Sequence, residues 1–272
     1  MNEPAHPAFW WLWAALLSST VVRVSSSTFS LIAILSVAVI AWRIGIPQHR
    51  MRIFALAIRI ALLALAIRVG FAIIIGVPLP GRVLFTLPQI QLPDFLVGVR
   101  IGGPVVVERL SSAFEQGLAL ATLIAIFGLA NSLSTPAQLI KALPNRLYGI
   151  GVAATLATTI TPSIAKSVER IRIAQFLRGQ PNRGFASWRR LGTPVLEEAL
   201  ARSIDLAAAM EARGYGRSAA PTRYRPQSWR SSDLASLAAL TYLTFLFPFL
   251  DLSYPFEISI FAALTLTPAV LK

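Results

Sequence analysis

Two arginines carry most of the chemistry that this sequence offers. Arg178 closes the segment Ala174-Gln175-Phe176-Leu177 and is followed by Gly179. Arg213 closes Ala208-Ala209-Met210-Glu211-Ala212 and is followed by Gly214. A helix C-terminus has unpaired carbonyls and partial negative charge, so it holds a cation there. A guanidinium so held still offers a planar fork to a partner carboxylate. A glycine just beyond ends the helix and lets another backbone come close. One such end alone reads as ordinary capping. Two matched ends read as a grip on another protein.

Residues suited to bond-making are missing. The chain has no Cys, and its two histidines, His6 and His49, stand apart in polar segments. None of Lys141, Lys166 and Lys272 sits in the Gly-rich pattern that cradles nucleotide phosphates. Gly149-Ile150-Gly151-Val152-Ala153-Ala154 mimics a dinucleotide fingerprint, but no strand precedes it and no ribose-binding acid follows at the right distance. With Ala157, Gly149, Gly151 and Ala154 read instead as a smooth face for close helix approach. The expectation is therefore no catalytic site, no cofactor and no metal. Arg59 and Arg68 fall inside an apolar segment, where a charge is expensive. They are either functional or structural, snorkelling or pairing with a carboxylate such as Glu115.

The segments that flank the two arginine ends, and so anchor the helices that carry them, must lie in a bilayer. The 272 residues are 55% hydrophobic and 14% charged, too few charges to coat a soluble protein of this size. The net charge of +13 marks cytoplasmic loops. No separate basic domain exists, so nucleic acid is not an expected partner. Residues 1–24 do not read as a cleaved signal.

The spans expected are 28–46, 53–77, 112–133 and 234–250, with 9–22 and 258–271 left open. Gly45-Ile46-Pro47 stops the first of these, and Gln48 to Arg52 reads as a basic turn. The Pro- and Gly-rich stretch 79–109 reads as a hairpin-like excursion on the outer side. Ser134-Thr135-Pro136 starts a short helix, and residues 146–177 form a long one with Pro162 inside.

Pro181 to Gly192 reads as a loop, with Gly184 and Gly192 as its flexible points. Thr193-Pro194 reads as the cap of the next helix, and Glu197 and Glu198 as acids near its positive end. Leu196, Leu200, Ser203, Ala207 and Met210 recur at helical spacing, so this helix is expected to pack on something apolar. More than half of the 25 Lys and Arg fall in residues 166–230, which places that stretch in the cytoplasm. The expected division is residues 1–133, a coupling domain 134–230, and 231–272.

The arginine ends resemble those of a known family. Ala174-Gln175-x-x-Arg178-Gly179 and Met210-Glu211-Ala212-Arg213-Gly214-Tyr215-Gly216, with Thr135-Pro136 and Leu139-Ile140-Lys141-Ala142-Leu143-Pro144, are similar to the T component of energy-coupling factor transporters, an ABC importer class. The likeness covers most of residues 50 to 250 in order and spacing. The first end departs from the pattern, since Leu177 stands where a small residue is expected.

The resemblance implies an all-α protein of the cell membrane, with about five or six spans and two long crossing coupling helices in a cytoplasmic domain. It implies that Arg178-Gly179 and Ala212-Arg213-Gly214 dock two cytoplasmic ATPases. A small membrane S component would capture a vitamin, cobalt or nickel and rest on the apolar side of the helices. The face of Gly149, Gly151, Ala154, Ala157, Leu196, Leu200, Ala207 and Met210 would meet it or the crossing helix. The chain itself would be no enzyme. The alternatives are a permease with its own substrate path, or a membrane-embedded enzyme. The first lacks a continued coupling loop after Glu198-Ala199-Leu200, and the second lacks paired acids or His in the spans.

Overall fold

The computed structural model describes residues 6–24, 26–75, 81–90, 101–143, 147–179, 185–217, 229–246 and 254–270. The chain divides into two compact units. One joins Met1–Thr135 to Ser228–Lys272, and the other is Pro136–Gln227. The protein is predominantly α-helical, as expected of this class of membrane protein.

The first unit holds α1 (Pro7–Val24), α2 (Ser27–Ile44), α3 (Gln48–Ile74), β1 (Val83–Ile90), β2 (Ile101–Val106), α4 (Val107–Leu133), α8 (Ser231–Leu246), α9 (Tyr254–Thr265) and the short α10 (Thr267–Val270). Among the described residues, α2, α3 and α4 are long and apolar enough to cross a membrane. The last span expected, 234–250, is described only as far as Leu246, as α8.

Trp10, Trp13, Leu17 and Val21 of α1 recur at helical spacing and are buried. They join Phe29, Val37 and Ile40 of α2, Ile126 and Leu129 of α4, Leu240 of α8 and Phe261 of α9 in one core. The Trp-rich segment that the sequence left open is therefore a packed helix of the bundle. Helix directions follow from polar pairs. The His6 N–H donates to Asp233 Oδ2 at 3.2 Å, and the Thr20 and Thr244 hydroxyls pair at 2.9 Å, so α1 and α8 run parallel. Phe29 meets Phe261, and the Ser36 hydroxyl donates to Thr265 at 3.0 Å, so α2 and α9 do too. Trp11 Nε1 donates to Ser134 Oγ at 2.7 Å, which sets α4 antiparallel to α1. Such buried hydroxyl contacts join helices that have no hydrophobic incentive to associate within lipid.

Two boundaries differ from expectation. Gln48 to Arg52 is no turn but the start of α3. Gly45 closes α2 with φ 71°, and the Pro47 carbonyl accepts the N–H groups of Arg50 and Met51, so helix resumes at once. The excursion is a two-stranded antiparallel hairpin with Val83 opposite Val106 and Leu87 opposite Gly103. It feeds α4 directly at Val107, five residues before the expected span at 112. Helices α3 and α4 pack closely and antiparallel. Gly128 faces Ala57 with no room for a Cβ, and Gly117 faces Arg68 and a Leu65 methyl that a Cβ would displace.

The second unit holds α5 (Pro136–Lys141), α6 (Tyr148–Leu177) and α7 (Phe185–Ala212). Residues 185–192 were expected as loop and Thr193-Pro194 as a cap. Both lie within α7, and of the two glycines proposed as flexible points Gly192 is helical while Gly184 lies outside the described residues. A proline inside a helix strands the carbonyl four residues back, here that of Arg190. The Gln175 side-chain amide of α6 donates to this Arg190 carbonyl at 3.0 Å. Support from the neighbouring helix lets α7 continue through Pro194.

Candidate functional site

The arginine ends share one backbone geometry. Arg178 caps α6, its N–H donating to the carbonyls of Ala174 and Gln175 at 3.2 Å, and Gly179 follows with φ 74°. Arg213 ends α7 likewise, its N–H donating to Ala209 and Met210, and Gly214 follows with φ 80°. At this second end the Gly214 N–H reaches the Glu211 carbonyl and the Tyr215 N–H reaches that of Met210, which completes a Schellman turn. A side chain with a Cβ would be strained at both glycine positions. Arg178, Ala212 and Arg213 are exposed. Among the described residues neither guanidinium has a hydrogen-bond or ion-pair partner.

Helices α6 and α7 are antiparallel. Gln175 meets Arg190 near one end, and the Tyr148 and Tyr215 rings stack at 6.2 Å near the other. The arginines consequently stand at opposite ends of the pair. Thirty residues of α6 separate them, roughly 45 Å at 1.5 Å per residue.

Between those ends the helices meet through charge. Glu198 Oε1 accepts the Ser167 hydroxyl at 2.7 Å and Arg170 Nη2 at 2.7 Å, with Arg202 Nη2 at 3.6 Å. Arg202 Nη1 also donates to Ser163 Oγ at 2.5 Å. The Ser167 hydrogen bond, helped by Arg170 and Arg202, holds the Glu198 carboxyl below its usual 4.5, against a smaller opposing effect of desolvation. Ile164, Ser167, Val195, Glu198, Ala199 and Arg202 line a small pocket at this contact. In the sequence Glu198 reads as a charge at a helix start. Because α7 begins at Phe185, Glu198 is mid-helix and faces α6.

The remaining candidates separate. Gly151 packs on α5, where an added Cβ would lie 3.6 Å from the Ile140 carbonyl oxygen, whereas Gly149 faces open space. Ala154 is half-buried and Ala157 exposed. Leu196 and Leu200 are 70% and 64% exposed, Ser203 and Ala207 are exposed too, and Met210 is half-buried. The apolar stripe of α7 thus points away from α6, because the facing side carries Glu198 and Arg202. Ile204, 62% exposed, extends the stripe and was missed. Among the described residues no cluster of three potential metal ligands occurs.

Arg68 of α3 donates to Gln116 of α4 and not to Glu115, the carboxylate offered as one partner, which is exposed one position earlier. Arg59 lies on the exposed face of α3.

No protein-family model matches the chain. Three curated relatives do, each described as an energy-coupling factor transporter transmembrane protein EcfT. The Bacillus selenitireducens protein is 27% identical over 162 residues, half of this chain and 60% of the relative. That of Limosilactobacillus fermentum is 34% identical over 122 residues, covering 43% of this chain and 45% of the relative. That of Macrococcus caseolyticus is 24% identical over 180 residues, covering 62% and 68%. The chain thus spans about half the length of the first two relatives. The likeness to the T component drawn from the arginine ends is supported by all three.

Proposed function

We propose that this chain, similar in sequence to the transmembrane T component of energy-coupling factor transporters, is the scaffold subunit of an ABC importer of that type. Two cytoplasmic ATPases dock at Arg178-Gly179 and at Ala212-Arg213-Gly214, and α6 and α7 carry their motion to a small membrane subunit that captures the substrate. The observation that carries this reading is the repeat of one geometry, an exposed C-terminal arginine before a left-handed glycine, at both ends of one antiparallel helix pair. Two ends roughly 45 Å apart suit two ATPase subunits better than one.

The exposed stripe of Leu196, Leu200 and Ile204 is the face offered to the substrate-capturing subunit. That subunit sets the cargo, for which a vitamin, cobalt or nickel is the expected class. The basic excess of 166–230 supports a cytoplasmic coupling unit in a cell-membrane protein. The chain binds no nucleotide and performs no hydrolysis itself.

Arg178→Ala and Arg213→Ala test the reading. Each should weaken ATPase co-purification by about 2–5 kcal/mol where the partner charge stays buried. The double variant should lose uptake while still inserting in the membrane. Wild-type ATPase stoichiometry in the double variant overturns the docking role.

A further inference from the structure

Helix α3 turns a continuous apolar face outward, with Ile53, Leu56, Ile60, Leu63, Ile67 and Phe71 all exposed. In a membrane this face meets lipid. One charge interrupts it. Arg59 is exposed, α3 contains no acid, and among the described residues Arg59 has no hydrogen-bond or ion-pair partner. Its Cα stands roughly 9 Å along the axis beyond Ile53, where the apolar run begins. A guanidinium left unpaired at that depth is costly.

Side-chain direction separates Arg59 from Arg68. Every Cβ of a helix leans toward its N-terminus. Arg68 therefore leans toward mid-membrane, away from the nearer end of its helix, and is met there by Gln116. Arg59 leans toward the Gln48 end, and its long stem lets the guanidinium snorkel to headgroup level. Arg52, seven residues earlier, shares its side of the helix about 10 Å away and is also exposed without a partner among the described residues. Arg50 differs, since it is turned inward onto the Ser132 carbonyl. Trp42, 83% exposed near the end of α2, marks the interfacial level at this same end.

We propose that Arg59 and Arg52 together hold the phosphate of an anionic phospholipid headgroup, in the leaflet at the Gly45–Pro47 end of the bundle. A phosphodiester takes planar guanidinium forks from two sides, and its own acyl chains cover the apolar stripe. The inference rests on α3 spanning a membrane and not on the docking role of Arg178 and Arg213.

Native mass spectrometry of the detergent-purified full chain, titrated with phosphatidylglycerol and separately with phosphatidylcholine, tests it. The wild type should retain phosphatidylglycerol preferentially. Arg59→Gln should lower that retention roughly tenfold, the worth of one charge-assisted hydrogen bond, and leave phosphatidylcholine unchanged. Arg52→Gln should act in the same direction, Arg59→Lys should fall between, and Arg43→Gln, on α2, should keep the wild-type preference. Helical circular dichroism and melting of each variant show whether it folds, and Arg59→Lys serves if Arg59→Gln does not. Equal phosphatidylglycerol retention in the wild type and the folded Arg59 variants overturns the site. So does unchanged lipid selectivity with loss of a co-purifying membrane protein, which would make Arg59 a protein contact. ATPase co-purification by Arg59→Gln should stay at wild-type level, so failure of the docking reading registers separately.

Discussion

Tyr148 at the start of α6 stacks on Tyr215 just beyond the end of α7, ring centroids 6.2 Å apart and planes 28° apart. This contact fixes the Arg213 end beside the start of α6, and so places Arg178 at the far end. The geometry predicts opposite outcomes for two cysteine pairs in a chain that has no other cysteine. Tyr148→Cys with Tyr215→Cys should be joined by a short bifunctional reagent. Arg178→Cys with Arg213→Cys should not, and spin labels there should report a separation on the order of 45 Å. Efficient short-range linkage of 178 to 213 within one chain would refute the antiparallel arrangement.

Glu198 is the acid at the centre of that pair. Glu198→Gln keeps a hydrogen bond to Ser167 but leaves Arg170 and Arg202 without their counter-charge, and Glu198→Ala removes both. Linkage between positions 148 and 215 should fall in the first and fall further in the second. The pH dependence has a definite sign. A carboxyl whose native pKa is depressed stabilises the pairing above its usual value of 4.5, and the contribution disappears as pH falls through the lower native value. Linkage yield at 148 and 215 should therefore decline on acidification in the wild type and stay flat in Glu198→Gln. A pH-independent wild type would remove Glu198 from the crossing.

The arginine ends were legible because a C-terminal Arg-Gly is a local signal, set by the left-handed residue after the cap. Three of the expected spans, now α2, α3 and α4, were legible from apolar run length. The start of α7 was not. Gly192-Thr193-Pro194 followed by two glutamates is the normal grammar of a helix N-terminus, and what overrides it is the Gln175 amide reaching the Arg190 carbonyl from another helix. The same local reading hid the role of Glu198, whose partners Ser167 and Arg170 lie on α6. The stripe of Leu196 and Leu200 was legible as apolar, but not whether the crossing helix or another chain meets it, and here it stands exposed. Periodicity identifies a face but not what stands opposite.

His6 gives a second pH effect at the other unit. Its ring stacks on Trp229 at 4.1 Å, Nδ1 accepts the Ala8 N–H at 3.3 Å, and its backbone N–H is held by Asp233. Burial pushes the imidazole below its usual 6.5, with the Asp233 charge opposing more weakly. The native state therefore favours the neutral ring. Its contribution is complete above pH 6.5 and is lost as pH falls from there through the depressed native value. Melting of the wild type should drop over that window, and His6→Gln should be less stable at neutral pH but flat across it. Equal slopes in the two proteins would show that His6 does not titrate in the fold.

The glycines of α4 make the sharpest packing prediction. Gly128 lies against Ala57 of α3 with no space for another carbon, while Gly149 of α6 has no atom within 4 Å of where a Cβ would stand. The same substitution should then have opposite signs. Gly128→Ala overpacks a closed contact between two rigid backbones and should cost about 1–3 kcal/mol. Gly149→Ala meets nothing and removes backbone entropy from the unfolded chain, so it should be neutral or stabilise by up to about 1 kcal/mol. Moving the methyl across the contact, as Ala57→Gly with Gly128→Ala, should recover part of the loss and give a coupling energy between the sites. Thermal unfolding in detergent measures these three variants and Ala57→Gly alone, which closes the cycle. If Gly128→Ala melts with the wild type and the pair shows no coupling, α3 and α4 do not approach closely at that point.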